Sequence, residues 1–303
     1  MRFFNYFCNY FCNIYNKVKK LEYSSGNYLV TDPEGMVGRY LLPMLSARTP
    51  LSERILFHLA GTDEDTDAEA LNVEATRRLL ERLESEDKMP RQILYLSSHR
   101  VYSADAGEGV DESRMLSPQG EAGRTRALTE QLLEEWAADH GVMLTIVRAA
   151  YTFGKGVEGD MRRLFDRVVA GRYVHIRGND ACMSAVTAYD VARTLVALAG
   201  HPGVYNVSDG RSHRWIEVAE AMSRNAGDCK RMPHLPAKWA KFIYNWFGAL
   251  PIVELLLGPK AQGPVSHTLT LDNSRVVETT GIEFYDAMAV VARTEKEYPY
   301  EDA

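Results

Sequence analysis

The sequence predicts an α/β fold built on a doubly wound, mostly parallel sheet. Three observations predict it. From residue 27 onward, short apolar runs rich in β-branched and aromatic residues alternate with longer stretches of helical periodicity. A glycine-bearing turn, Asp32 to Gly38, joins the first apolar run to the first helical stretch. The 303 residues are 46% hydrophobic and 25% charged, which is globular and long enough for one large α/β domain or a core with a smaller partner.

The elements follow in order. Residues 28–31 read as a strand and residues 36–46 as a helix. Residues 54–59 form a second strand. Residues 68–83 form a helix that turns Leu71, Leu79, Leu80 and Leu83 inward. Residues 92–97 are a third strand, 127–140 a helix, and 144–148 a fourth strand. Parallel neighbours need a crossover, so this alternation implies βαβ units. From about Gly156 the chain mixes short strands and helices. The expected division is an atypical tail (1–26), a core (27–155) and a mixed α/β region (156–303) that packs partly on the core.

The tail differs in composition from the rest. Residues 3–20 read FFNYFCNYFCNIYNKVKK, with NYFC repeated. Two readings stand: a misplaced start, or a basic aromatic interfacial helix, since Phe3, Phe7, Phe11, Ile14 and Val18 recur at helical spacing. Residues 242–257 are the most apolar stretch, but Asn245, Pro251 and Glu254 interrupt it. That leaves a buried or lid-forming helix pair, or a peripheral membrane contact, and no spanning helix. Net charge is −6, which gives nucleic acid no electrostatic attraction. Cys8, Cys12, Cys182 and Cys229 lack zinc spacing, so no metal is expected, and their sparseness fits a reducing cytoplasm.

Six segments then carry a resemblance. Thr31-Asp-Pro-Glu-Gly-Met-Val-Gly38 resembles a T-G-x-x-G-x-x-G nucleotide loop. His58-Leu-Ala-Gly61 resembles a strand end, and Asn72-Val-Glu-Ala-Thr76 an N-V-x-G-T helix. Tyr95-Leu-Ser-Ser-His-Arg-Val-Tyr102 resembles S-S-x-x-V-Y-G. Arg148 to Gly156 resembles R-P-x-x-x-Y-G-P-G, and Tyr205-Asn-Val-Ser-Asp-Gly210 resembles Y-N-V-x-x-G. Together they resemble the extended short-chain dehydrogenase/reductase family of NAD-dependent epimerases and dehydratases, over roughly residues 27–295. The resemblance implies a Rossmann-like fold and NAD or NADP as cofactor. It places Gly35, Met36, Val37, Gly38, Leu59, Ala60, Gly61, Asn72 and Arg126 beside that cofactor. It makes Ser98 the hydroxyl residue of a Ser/Tyr/Lys triad and leaves a homo-oligomer open.

The chain departs from that pattern in three places. Asp32 stands where the first loop glycine belongs, with Glu34 nearby, and two carboxylates repel a pyrophosphate. Only residues 32–53 separate the first strand from the second, which is room for one helix. The family places two more strands there, so the sheet is truncated on the adenosine side. Glu53 lies at about the right distance for a ribose acid, but it precedes a strand rather than ending one. The catalytic tyrosine and lysine align with Ala122 and Arg126. Alanine transfers no proton, and arginine is permanently charged.

Tyr102, Tyr151 and His99 are the nearby alternatives. Ser98 and His99 are adjacent in a strand, where side chains point to opposite faces, which argues against a Ser–His couple. Three readings follow: a catalytically impaired relative with a binding or regulatory role, an active oxidoreductase or epimerase on a sugar nucleotide or sterol-like substrate using unusual residues, or a truncated product without independent function. The truncation also leaves the first strand as an edge, which the tail or a second copy would cover. Joining it directly to the second strand with the helix on its usual face requires a left-handed crossover.

Overall fold

The computed structural model describes residues 22–25, 27–47, 54–118, 120–157, 159–227, 232–236, 238–240, 242–243 and 267–293. The aromatic tail repeat, Glu53, three of the four cysteines and most of 242–257 lie outside the described residues.

A six-stranded sheet forms the centre. In space its order is β1 (Glu22–Ser25), β2 (Tyr28–Thr31), β3 (Ile55–His58), β4 (Gln92–Ser98), β6 (Met143–Ala149) and β11 (Gly203–Val207). All neighbours are parallel except β1, which pairs antiparallel with β2 through Glu22↔Thr31 to Ser25↔Tyr28. The predicted strands are therefore present within a residue or two. β1 lies in the stretch expected to be tail. It caps the β2 edge that the shortened chain would otherwise leave bare, so part of that stretch supplies the cover.

Both sheet faces are covered, and the alternation along each strand shows how. Val30, Ile55, Phe57, Leu94 and Val147 face one core, packed by Val37 in the first loop, Leu41 and Leu45 of α1 (Gly38–Ala47) and Val191 and Leu195 of α5 (Ala188–Ala197). Leu56, Ile93, Tyr95 and Ile146 face the other, packed by Leu79, Leu80 and Leu83 of α2 (Ala75–Ser85) and Leu133 and Trp136 of α3 (Gly120–His140). The steps β2–α1–β3 and β3–α2–β4 run the same way across the sheet with their helices on opposite faces. They therefore have opposite hands, and one of them is a left-handed crossover.

α2 is preceded by a π-helical stretch, Glu69–Glu74, and α3 starts earlier than its apolar pattern suggests. Gly123 explains the early start. A Cβ there would lie 2.3 Å from the Arg100 carbonyl oxygen, so the first turn packs closer to its neighbour than any other residue permits. The remaining short strands are β5 (Gly107–Val110), β7 (Tyr151–Phe153), β8 (His175–Arg177), β9 (Cys182–Met183), β10 (Ala185–Thr187), β12 (His213–Arg214), β13 (His234–Pro236) and β14 (Leu269–Leu271). They form three small sheets beside the main one. A separate apolar cluster joins α4 (Gly159–Val169), α6 (Trp215–Asn225) and α8 (Ala287–Val291) around the buried Trp215. α7 (Ser274–Thr280) packs its buried Val276 into the core on the α1 side. No helix among the described residues is long and apolar enough to cross a membrane.

Candidate functional site

A cleft of about 220 Å³ opens at the carboxyl ends of β2, β3, β4 and β6. Parallel strands end together there, and the loops that follow them diverge around a crevice. Its walls carry Met36, Val37 and Gly38 from the first loop, Leu59 and Gly61 after β3, Ser98 at the end of β4, and Arg126 from α3.

The first loop is closed on itself. Asp32 takes a left-handed φ of 54°, the conformation for which glycine is favoured. Gly35 N donates to the Asp32 carbonyl at 3.2 Å, and the Asp32 carboxylate folds over Gly35. A Cβ on Gly35 would lie 2.0 Å from Asp32 Oδ2. A Cβ on Gly38 would lie 2.2 Å from the Asp32 carbonyl oxygen and 2.7 Å from Pro33 backbone. Backbone cannot yield as a side-chain tip can. Gly38→Ala is therefore expected to lower unfolding stability by about 2 kcal/mol. Urea denaturation checks this, and a midpoint equal to wild type would mean that the loop is looser than described.

Three expected residues are not on the wall: Gly35 lies under the Asp32 carboxylate, and Asn72 and Ala60 stand behind the wall. Asn72 is 1% exposed and braces the loop after β3: its Oδ1 accepts from Thr62 N at 2.7 Å, and its Nδ2 donates to the Thr62 carbonyl and to Thr125 Oγ1. Ala60 turns its N–H to Thr31 Oγ1 at 2.9 Å. Ala122 is fully buried, and its backbone N–H donates to Asp65 Oδ1 at 2.9 Å.

The centre of the cleft is organised by a residue that the sequence pattern did not single out. Asp63 accepts from Ser98 Oγ at 2.9 Å and from Arg126 Nε at 3.2 Å. Arg126 also donates to Tyr95 Oη at 3.2 Å and to the Leu96 carbonyl at 3.0 Å. Partial burial pushes the Asp63 carboxyl up, but the nearby Arg126, Arg100 and His99 and the Ser98 hydroxyl outweigh it and hold it below the usual range. A signal for this was present in the sequence: an arginine at the core-facing lysine position needs an acid, and Asp63, Glu64 and Asp65 follow the glycine of the β3 loop.

On the opposite wall, Arg100 pairs with Asp160, and Asp160 also accepts from Arg163 at 2.7 Å. His99 and Ser98 do not bond to each other: His99 Nδ1 donates to the Ala149 carbonyl at 3.2 Å. Burial and the Arg100 charge lower its pKa to about 4. Tyr151 lies over His99 with ring centroids 4.0 Å apart, and burial raises its phenol. Tyr102 faces away from the cleft, donating to Asn206 Oδ1 at 2.9 Å inside the core.

Asp209, His213 and Asp286 group their ligand-type atoms within 4.8 Å of one another. These groups are already engaged: Asp209 bonds His213 Nε2 at 2.7 Å and accepts from Ala287 N at 3.1 Å, and Asp286 accepts from Met288 N at 2.9 Å and from Arg211 at 2.5 Å. They cap α8.

Comparison with known proteins agrees with this layout. The chain resembles RMD from Pseudomonas aeruginosa complexed with NADPH, at 17% identity and a TM-score of 0.66, covering 89% of this chain and 97% of that one. It resembles UDP-glucose 4-epimerase from Thermus thermophilus complexed with NAD, at 17% identity and 0.67, covering 90% and 98%. It also resembles UDP-glucose 4-epimerase from Thermotoga maritima with UDP-glucose, at 20% identity and 0.60, covering 88% and 81%. A curated relative, the uncharacterized protein y4nG of Sinorhizobium fredii, is 23% identical over 193 residues, or 63% of this chain. The chain spans about half of that protein's length, 48%. Residues 55–208, just over half of the chain and including the β3, β4 and β6 ends that build the cleft, match the family described as NAD dependent epimerase/dehydratase, and the chain belongs to that family.

Proposed function

We propose that the cleft binds a small polar or nucleotide ligand without running the proton transfer that the family's tyrosine and lysine perform. One observation carries this reading: Asp63 takes both the Ser98 hydroxyl and the Arg126 guanidinium, while Ala122 lies buried with nothing to titrate. A hydroxyl and a cation tied to the same carboxylate leave no poised acid–base pair.

The family's cofactor, NAD or NADP, fits this chain poorly on its phosphate side. The Asp32 carboxylate fills the turn into α1, where backbone N–H groups would hold a pyrophosphate. Among the described residues the sheet ends beyond β2 in the antiparallel β1, and none of them supplies the strand end that reads the adenosine ribose. The RMD and Thermus structures hold NADPH and NAD, and the Thermotoga structure holds UDP-glucose. Of these, a sugar nucleotide matches the arginine-lined end of the cleft better than a dinucleotide matches its loop.

A second reading has one observation in its favour. Tyr151 lies on the cleft wall, with its phenol near Arg100, Asp160 and Asp63, and it would donate a proton if the chain were active.

Calorimetric titration with NAD, NADH, NADP, NADPH and UDP-glucose, followed by an absorbance assay of nicotinamide turnover, separates the two. The expected result is UDP-glucose binding, dinucleotide affinity weaker than about 1 mM (~4 kcal/mol), and no turnover. Micromolar dinucleotide binding with turnover that Tyr151→Phe removes would sink the first reading in favour of the second.

A further inference from the structure

Three consecutive carboxylates leave the loop after β3, and each meets a different element. Asp63 holds Ser98 and Arg126. Glu64 holds Arg163 of α4 through both oxygens, at 2.9 Å each. Asp65 caps the start of α3 at Ala122 N. The arginines are fixed to the walls by other partners: Arg126 by Tyr95 and the Leu96 carbonyl, Arg163 by Asp160. Enclosure differs between the two pairs: Asp63 is more open than Arg126, whereas Arg163 is 59% exposed and more open than Glu64. The Asp63 side chain is 44% exposed against 8% for Arg126, and that of Glu64 is 38% exposed. The loop follows Gly61, at φ 138°, where a Cβ would lie 2.7 Å from an Arg126 nitrogen. The cleft volume of about 220 Å³ is also small for a ligand site, for which ~300–1,000 Å³ is typical.

Resting on the ligand-binding reading above, we propose that Asp63 and Glu64 are internal stand-ins for a diphosphate-bearing ligand. They occupy Arg126 and Arg163 in this conformation, and the incoming diphosphate takes the same two guanidinium groups as the loop turns out about Gly61. Carboxylate and phosphate oxygens accept from a guanidinium in the same two-point manner, so the exchange never leaves Arg126 unpaired. Asp160 keeps Arg163 aimed at the rim when Glu64 leaves. Release of the loop also frees the Ser98 hydroxyl for the ligand.

The test titrates inorganic pyrophosphate and UDP into the wild-type chain and into the D63N/E64Q double variant, by calorimetry. The double variant is expected to bind both roughly tenfold tighter, since the competing anions are gone. Glu64→Gln alone, at the exposed rim, is expected to give about a threefold gain and guards against a folding failure of the double variant. In the wild type, saturating UDP is expected to speed amide hydrogen exchange at residues 61–66. If UDP binds the wild type but the variants gain no affinity, or exchange at 61–66 stays unchanged, the stand-in proposal falls while the ligand-binding reading stands. If neither pyrophosphate, UDP nor a dinucleotide binds any of the three proteins, both fall.

Discussion

Glu130→Ala is expected to destabilise the fold by about 4 kcal/mol, because it strands a buried cation. Glu130 on α3 is 2% exposed and Arg148 on β6 is 7% exposed at the side chain. Arg148 Nη2 donates to Glu130 Oε2 at 2.7 Å and its Nε spans both oxygens at 3.1 and 3.2 Å. Ser97 Oγ on β4 donates to the same carboxylate at 2.5 Å. Arg148 Nη1 donates to Tyr102 Oη at 2.9 Å, and Tyr102 Oη donates in turn to Asn206 Oδ1 on β11. The network therefore ties α3 to three adjacent strands directly behind the cleft. Removing Glu130 leaves a buried guanidinium with one neutral partner, Tyr102 Oη. Replacing both members, as Glu130→Leu with Arg148→Met, removes the desolvation cost together with the attraction and is expected to fall within about 1 kcal/mol of wild type. Urea unfolding of the three proteins reads both values. A Glu130→Ala midpoint close to wild type would mean that water reaches the pair.

The parts of this fold that the sequence reveals are those where burial acts on both sides of an element. β4 reads as a strand because Ile93, Leu94 and Tyr95 are all fully buried, so the run is continuous and apolar. β1 does not read as one. Its four residues, Glu-Tyr-Ser-Ser, neither alternate nor form an apolar run, and they are extended because β2 needs an edge partner. The start of α3 was obscured by Gly120 and Gly123, residues that weaken a helix on propensity; here Gly120 takes a left-handed φ of 80° and Gly123 is demanded by close contact with the Arg100 carbonyl. The abnormal crossover was legible as arithmetic, because residues 32–53 leave room for only one helix. At the site, Ala122 and Arg126 could be aligned because they sit in a long helix of fixed phase. Asp63 could not, because its role comes from where an irregular loop carries a carboxylate, and no periodicity reports that. Asn72 shows the same limit from the other side: it matches a family segment, yet its amide serves the loop backbone and not the cleft.

The stability of the fold is expected to fall by about 4 kcal/mol between pH 7 and pH 5, from two buried histidines. His58 is 2% exposed, and burial with the Arg126 charge lowers its pKa to about 3. Its hydrogen bonds show why the cation is refused. Thr31 Oγ1 accepts from Leu59 N and Ala60 N, both at 2.9 Å, so its hydroxyl proton is given to His58 Nδ1 at 3.0 Å. On the other side, Thr76 Oγ1 gives its proton to the Asn72 carbonyl at 2.6 Å and so accepts from His58 Nε2 at 2.8 Å. A proton on Nδ1 would face a hydroxyl with no lone pair to spare. His99, with a pKa of about 4, has its Nε2 buried without a hydrogen-bond partner, so a second N–H there would go unmet. In the unfolded chain both rings titrate near their ordinary pKa of about 6.5. Below that value the unfolded state binds protons that the folded state refuses, and stability drops at about 1.4 kcal/mol per pH unit for each ring, down to the folded values. The loss is therefore about 2 kcal/mol per histidine at pH 5 and is absent above pH 7. Below about pH 4 the depressed carboxyls of Asp63 and Asp160 add to it, since they too favour the folded state only while ionised. Urea titrations at pH 7, 6 and 5 measure the slope, and His58→Gln is expected to be less stable at pH 7 yet to halve it. A flat profile between pH 7 and pH 5 would mean that both rings accept protons in place, and that the chain of hydroxyls joining β2, β3 and the Asn72 helix reorganises at little cost.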